Sequence, residues 1–304
     1  MATKKVGSID GEILSKWRWY TRQPLNDARR PDVLQEVELN LRQCSVDATE
    51  LLQPWLSLFD EALRCLYCLH RYADVLWESS KASPAFPLTV ARLVNLLASI
   101  RVLITSGLSQ SARILTRTTL ETTDYGLAVL ADDEFAVASF MGDSGDDRFW
   151  DKHIGYGKLA RRVDELVLSL IDDDFGPNWR DVRRRHKTVL SASVHISEFA
   201  TAFTTIVPSL AHRGKFAITP FGHHSDTSPD VLDALAKEAY LFVAIVMKLI
   251  LSDTPPRLFS GDDPDSQARA TFLVSAMVLQ AVVTNHWGDI AVHQRRRKRR
   301  PTSR

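Results

Sequence analysis

The stretch SQSARILTRTTLETTDYGLAVL, residues 109–130, decides the fold that we expect for this chain. At about 100° per residue, its apolar and small side chains fall on one broad helical arc. The arc comprises Leu108, Ala112, Leu115, Thr119, Leu120, Thr123, Leu127 and Leu130. Arg113, Arg117 and Glu121 recur one turn apart and form a narrow charged row, which we call the polar ridge. Apolar residues flank this ridge, so the pattern predicts a helix packed nearly all round, with its charges in a crevice.

The preceding segment extends this prediction to a helical core. Residues 88–106, LTVARLVNLLASIRVLITS, are almost all apolar and end at Gly107. Two adjacent helices of this kind predict an antiparallel pair at the centre of a bundle. Helical spacing returns at 32–42, 55–77, 132–141, 148–171, 179–190, 191–206, 228–252 and 265–287. We therefore predict an all-α fold, a multi-helix bundle around an antiparallel central helix pair, with little or no strand.

One long stretch, residues 208–229, departs from the helical pattern. It contains the only strand-like run, at 215–219, and predicts either a β-hairpin or a lid over a crevice. Apolar helices flank it on both sides, so it is not a strong domain boundary. We expect a single helical domain over 1–293, in which 1–30 form a loosely docked arm, followed by a basic disordered tail over 294–304.

The composition is that of an ordinary soluble globular protein, with 45% hydrophobic and 25% charged residues. The net charge of +1 is uneven, because residues 294–304, QRRRKRRPTSR, contain seven Lys or Arg and no acidic residue. An acidic body with a basic tail differs from a dedicated DNA-binding domain, whose basic residues cover a folded face. The tail would bind nucleic acid or acidic lipid electrostatically, or serve as a disordered solubilising end. Its basic residues are Arg295, Arg296, Arg297, Lys298, Arg299 and Arg300.

Several patterns bear on the location of the protein. No apolar run opens the chain, so we expect no signal peptide. The most apolar windows are interrupted by Arg92, Arg101 or Lys248, so we expect no membrane span. Three cysteines are too few for a disulfide framework. These features favour a cytoplasmic protein, and they leave homo-oligomerisation open.

The polar ridge is the first candidate site. Arg113 and Arg117 repel each other unless an anion lies between them, and Glu121 can neutralise only one of them directly. Two guanidinium groups in a crevice could hold a phosphate or carboxylate bidentately. Alternatively, they pair with acids on neighbouring helices or face solvent.

The second candidate is His195 in the run Ser-Val-His-Ile-Ser, residues 193–197. A histidine among small and apolar residues, with hydroxyl groups two positions away on each side, could act as a general base or form a structural hydrogen-bond hub. We predict no metal site, because Cys65, Cys68 and His70 lie in one helix without a second group of ligands. No phosphate-binding loop, dinucleotide fingerprint or nucleophile elbow occurs, so we predict no cofactor.

The pattern A-R-x-L-x-R-x-x-L-E at 112–121, followed by L-S-x-S-V-H-I-S at 190–197, resembles an uncharacterised bacterial helical family, domain of unknown function number 5677. The resemblance covers roughly residues 88–199. It implies an all-helical cytoplasmic protein with Arg117, Glu121 and His195 near one another, and it implies no activity. A looser likeness to the HEPN group of helical ribonucleases, common in toxin–antitoxin and phage-defence systems, supplies one enzymatic hypothesis.

HEPN nucleases carry an Arg and a His four to six residues apart, so that the cation holds a phosphate while the histidine transfers protons. With 27 Arg and nine His in the chain, about two or three such pairs are expected by chance. The three that occur are Arg64/His70, Arg148/His153 and Arg180/His186. The Arg180/His186 pair is the best of these, because the intervening basic residues could hold RNA. Alternatively, it belongs to a solvated basic helix face.

Together, these patterns predict an uncharacterised bacterial helical protein that engages RNA or another phosphate ligand in stress or phage defence. Its enzymatic form would be a metal-independent ribonuclease. Arg113 and Arg117 would hold the anion, Glu121 would orient Arg117, and His195 would transfer protons. The alternative is a non-enzymatic helical binding or scaffold protein, in which the same Arg, Glu and His residues form a structural polar network.

Overall fold

The computed structural model describes residues 19, 33–80, 82–141, 149–170, 183–184, 187, 206–208, 216–218, 224, 228–261 and 265–299. Most of these residues are helical, which confirms the predicted all-α bundle. The α-helices of this part of the chain are α1 (Val33–Leu51), α2 (Trp55–Ser79), α3 (Ala85–Thr105), α4 (Ser109–Ala131), α5 (Asp133–Met141), α6 (Lys158–Leu170), α7 (Ser228–Ile250) and α8 (Ser266–Arg299). A π-helical turn at Trp150–Ile154 precedes α6, and a 3₁₀ turn at Arg257–Phe259 precedes α8.

Helices α3 and α4 form the central pair and make the most extensive helix–helix contact in the described structure. Only three residues connect them, so they run antiparallel, as the sequence predicted. Gly107 lies in this connection with φ +78°, a left-handed conformation that glycine adopts without steric cost. One row of apolar residues in α3 recurs at three and four positions and is fully buried, so this face of the helix packs into the core. They are Val90, Leu93, Leu97, Ile100 and Ile104.

Helix α2 completes the core by packing against α3, α7 and α8. Its Trp55 and Phe59 are almost completely buried, and its Tyr72 ring stacks on Phe272 of α8 with a centroid separation of 6.1 Å. Burying each such large side chain stabilises the fold by about 1.5–3 kcal/mol. Helix α7 also contacts α4, whose other neighbours in the described structure are α3, α5 and α6.

A small antiparallel ribbon begins at Ile206, the last residue of a segment expected to be helical, and enters the irregular stretch. Strand β1 (Ile206–Pro208) pairs with β2 (Phe216–Ile218), and Val207 lies opposite Ala217. The second strand falls within the strand-like run at 215–219. The ribbon agrees with the β-hairpin alternative.

Three helices differ by more than a few residues from the sequence-based boundaries. Helix α1, expected to end at Arg42, continues to Leu51. The helix expected over 148–171 is interrupted at 155–157, where Tyr156 and Gly157 both adopt left-handed backbone conformations. Helix α8 does not end at Trp287 as expected but continues to Arg299. The backbone of 294–299 is therefore helical, although this segment was expected to belong to a disordered tail. The expected N-terminal arm lies outside the described residues, apart from Trp19.

Two described helices are long and apolar enough to cross a membrane, namely α3 and the Ser266–Asn285 part of α8. Only a minority of each is buried inside the structure. Length and composition alone do not distinguish a membrane span from a core helix of a soluble protein. The expected absence of a span therefore stays a prediction.

Candidate functional site

Arg117 and Glu121 of the polar ridge border a cleft of about 850 Å³ that is bounded by α3, α4 and the segment 150–160. Helix α4 contributes Arg117, Glu121 and Asp124 to its wall, because these residues lie on adjacent faces of one helix. Helix α3 contributes Arg92, and Lys187 reaches the cleft from a later part of the chain. Charged groups from three separate segments therefore meet in one concave site.

Arg117 and Glu121 form an ion pair across one helical turn. The Nε of Arg117 donates a hydrogen bond to Oε1 of Glu121 over 3.0 Å. The Arg117 side chain is 33% exposed and that of Glu121 is 58% exposed. Arg117 thus lies in a crevice as predicted, whereas Glu121 extends into solvent. Such a solvent-exposed pair contributes only a few tenths of a kcal/mol to stability.

Arg113, the third member of the polar ridge, has a different environment. It is half-buried and is not among the residues that line the cleft. Burial lowers the pKa of its guanidinium, and the carboxylate of Asp230 on α7 partly opposes that effect. Arg113 therefore lies one helical turn from Arg117 but does not line this cleft with it.

A buried ionic network that the sequence analysis missed lies behind the cleft. The Nε of Arg183 donates to both carboxylate oxygens of Glu238, at 3.0 and 3.1 Å. Its Nη1 donates to Oδ1 of Asp124, and the Thr123 hydroxyl donates to Glu238 over 2.8 Å. Burial alone would lower the pKa of Arg183, but the adjacent carboxylates of Glu238 and Asp124 outweigh burial and raise it. Arg183 therefore stays charged inside the protein.

Asp124 connects this network to the cleft. Its second oxygen, Oδ2, accepts a hydrogen bond from Nζ of Lys187 over 2.5 Å. Lys187 is partly exposed and lines the cleft, whereas Asp124 is buried. One carboxylate thus holds two cations, Arg183 on the buried side and Lys187 on the open side.

An aromatic rim (Phe140, Trp150 and Tyr156) surrounds the charged groups of the cleft. These side chains are 48%, 51% and 78% exposed, respectively. The rings of Trp150 and Tyr156 meet edge-on, with centroids 5.7 Å apart and an interplanar angle of 67°. The cleft therefore combines cationic groups with exposed aromatic faces.

Several predicted site residues lie outside the described residues, namely Arg180, His186, His195 and Arg300. The proximity of His195 to Glu121 accordingly stays a prediction. The other predicted tail residues, Arg295, Arg296, Arg297, Lys298 and Arg299, are described only as helical backbone. Across the described ranges, no three His, Cys, Asp or Glu side chains are grouped so that they could hold a metal ion.

The sequence does contain a signal for the buried network of Arg183, Asp124 and Glu238. Glu238 stands three residues after Leu235 and four before Phe242, on the apolar stripe of α7. Asp124 has Leu120 and Leu127 at the corresponding distances on α4. An acid on an apolar stripe needs a buried partner, since acidic residues are almost never fully buried alone. Two such acids therefore point to a shared cation, although they do not identify which one.

No protein-family model, no curated protein and no solved structure matches this chain. The resemblance to the helical family of unknown function and the looser likeness to HEPN ribonucleases therefore stay predictions.

Proposed function

We propose that the cleft binds a phosphate-bearing ligand through Arg92, Arg117 and Lys187. The observation that carries this proposal is the convergence of these three cations, from three separate segments, on one cleft of about 850 Å³. A planar guanidinium can hold two phosphate oxygens at once, and an ammonium group acts as an additional point charge. This combination suits a phosphate better than it suits a neutral ligand.

The three cations retain capacity to bind an anion. Arg92 is exposed and makes no ion pair with any residue that the structure describes. Arg117 uses only its Nε toward Glu121, and its Nη groups keep their donors. Lys187 uses one of its three donors toward Asp124. A phosphate can therefore bind without breaking either ion pair.

The binding test uses isothermal titration of the full chain with inorganic pyrophosphate. We expect Arg117→Ala and Lys187→Ala each to weaken binding about tenfold, because each removes a charge-assisted hydrogen bond worth about 1.5–3 kcal/mol. Arg42→Ala is the matched control, since Arg42 pairs with Glu38 at the same i, i+4 spacing on exposed α1. Unchanged affinity in a combined Arg92, Arg117 and Lys187 alanine variant would refute the proposal.

The phosphate could belong to a small metabolite or to RNA, since both present the same group. A labelled 5′-phosphorylated RNA octamer separates these sources. If pyrophosphate displaces the octamer from the wild type, and the triple alanine variant fails to bind it, RNA occupies the cleft. If pyrophosphate binds but does not displace the octamer, the ligand of the cleft is a small phosphate, and the octamer is held elsewhere, for example by the basic residues 295–300.

As an enzymatic form of this function, we propose metal-independent RNA cleavage, in which Arg117 holds the phosphate, Glu121 orients Arg117 and His195 transfers protons. The 3.0 Å ion pair between Arg117 and Glu121 in the cleft supports the first two roles. The test incubates wild type and His195→Ala with total bacterial RNA, with and without EDTA. Cleavage that survives EDTA and disappears in the folded variant supports the mechanism. Absence of cleavage by a wild type that binds the octamer would favour binding alone.

The alternative of a non-enzymatic scaffold is favoured by one observation, the buried network of Arg183, Asp124 and Glu238. This network ties α4, α7 and the segment at 183 together away from solvent, as a structural role requires. A scaffold role predicts that alanine at Arg117 leaves pyrophosphate binding unchanged. The same titration therefore separates the two functions.

A further inference from the structure

The aromatic rim indicates which class of phosphate-bearing ligand the cleft binds, an inference that rests on the proposed phosphate binding. We infer that the cleft takes a nucleoside phosphate, whose base stacks on the aromatic rim while Arg117 and Lys187 hold its phosphate. The cleft measures about 850 Å³, within the range of about 300–1,000 Å³ that is usual for small-molecule sites. A phosphate alone would fill only a small part of that volume.

The rim exposes aromatic faces where a base could use them. Phe140, Trp150 and Tyr156 come from α5, the π-helical turn and the 155–157 interruption, yet all three line the same cleft. Each leaves about half or more of its side chain open to solvent. Aromatic side chains beside a cationic groove are the usual means by which proteins hold bases without reading their sequence. The cations in the same cleft supply the complementary phosphate contact.

The backbone at Tyr156 is unfavourable for the residue it carries. Its φ of +56° lies in the left-handed region, which bulky residues rarely adopt. Tyr156 is 78% exposed, so packing against the fold does little to offset this strain. Strained residues of this kind concentrate at functional sites. A tyrosine held in this conformation at the rim of a cationic cleft fits a ligand-stacking role.

Gly155 fixes the position of the neighbouring ring. A Cβ atom at Gly155 would lie 2.5 Å from Cζ3 of Trp150 and within 3 Å of two further ring atoms. The indole therefore lies directly against the glycine backbone, and any side chain there would displace it. The φ of Gly155 is −61°, which alanine also adopts, so alanine at this position moves the ring without straining the backbone.

The test compares adenosine 5′-monophosphate with ribose 5-phosphate by isothermal titration of the full chain. We expect the nucleotide to bind at least tenfold more tightly, because base stacking adds to the phosphate contact. Tyr156→Gly should remove most of this preference while leaving ribose 5-phosphate affinity unchanged. Its melting temperature should be unchanged or higher, since glycine accepts the left-handed conformation. A merely structural tyrosine would instead alter stability and leave the preference intact.

Gly155→Ala should likewise reduce the preference for the nucleotide, and Gly261→Ala is its control, because a Cβ at Gly261 meets nothing within 4 Å. Equal affinities for the two ligands in the wild type would overturn this inference while leaving the proposed phosphate binding intact. Failure of pyrophosphate and both ribose phosphates to bind would instead overturn the proposed function itself.

Discussion

Helix α4 carries two ionic clusters that differ mainly in their access to water. Arg117 and Glu121 face the cleft and remain partly hydrated. Three residues further on, Asp124 is almost completely buried and shares Arg183 with Glu238. Three residues turn a helix by about 300°, so the two carboxylates lie about 60° apart around the helix axis. That offset is enough to place one in solvent and the other in the core.

Sequence spacing therefore identifies which charged residues can pair along a helix, but it does not identify whether they are buried or hydrated. An exposed i, i+4 pair contributes little, because water screens both partners. A buried carboxylate loses its hydration and depends on its partner, so removal of one member leaves an uncompensated charge. Substitutions in the two clusters should therefore affect different quantities. Those in the cleft cluster should change ligand affinity, and those in the buried network should change the free energy of unfolding.

The largest expected effect is on the buried network. Arg183→Met should lower the free energy of unfolding by about 3–5 kcal/mol, because it leaves Asp124 and Glu238 buried without their shared cation. Urea denaturation measures this change. Arg42→Met, which removes the cation of an exposed ion pair with Glu38, serves as the control. Restoration of stability by adding Asp124→Asn and Glu238→Gln would confirm the cause, and a loss below about 1 kcal/mol for Arg183→Met alone would contradict the comparison.

Asp124→Asn tests the residue that joins the two clusters. The amide oxygen can still accept a hydrogen bond, so we expect a smaller loss of about 1–3 kcal/mol. Pyrophosphate affinity should rise, since a competing carboxylate is removed from Lys187. Glu121→Gln makes the same chemical change on the exposed cluster and should alter stability by no more than about 0.5 kcal/mol. Equal destabilisation by the two substitutions in urea denaturation would show that burial does not distinguish the clusters.

Arg117→Ala tests whether the exposed cluster contributes to stability. We expect the free energy of unfolding to change by less than about 0.5 kcal/mol, as for Arg42→Ala, because both arginines belong to exposed i, i+4 pairs. Thermal unfolding of both variants checks this. A fall of several degrees in the melting temperature for Arg117→Ala alone would place Arg117 in a structural network.

The smallest expected effect concerns His153 in the π-helical turn, whose ring centroid lies 5.0 Å from that of Phe149. Burial, followed by the charges of Lys152 and Arg162, lowers the pKa of His153 below its ordinary value of 6.5. The unfolded chain then binds more protons, so this contribution to stability is present above pH 6.5 and is lost as the pH falls through the folded pKa. The melting temperature should therefore drop less for His153→Gln than for wild type between pH 7.5 and 5. Parallel curves would contradict this.

The helices of the core were predictable, because periodicity reports which face of a helix is buried. The central pair α3–α4 and the strand-like run at 215–219 follow from local pattern alone. The extent of α8 did not, since Gly288 directly after Trp287 is a typical signal for the end of a helix, yet α8 continues through it to Arg299. The interruption at 155–157 was also missed, although Gly155 and Gly157 stand there in the sequence.

Only the part of the site formed by residues close in sequence was predictable, because local patterns do not report contacts between distant segments. Arg117 and Glu121 are neighbours on one helix, so their spacing of four residues predicts that they pair. Arg183 lies 59 residues from Asp124 and 55 from Glu238, and no local rule joins positions so far apart. Arg113 has the same spacing on α4 as Arg117, yet it is half-buried, feels the charge of Asp230 on α7 and does not line the cleft.

The short connection at Gly107 has a consequence for the order in which the chain folds. Contacts between α3 and α4 are local in sequence and form quickly, whereas Glu238 is synthesised more than a hundred residues after Asp124. During translation, the central hairpin therefore assembles while Asp124 still lacks both of its folded-state partners. Its carboxylate must remain hydrated until Arg183 and Lys187 arrive, and Arg183 acquires its second carboxylate, Glu238, only with α7, so closure of the bundle over α4 is a late step. Pulsed hydrogen exchange should show protection of α3 and α4 amides before those of α7.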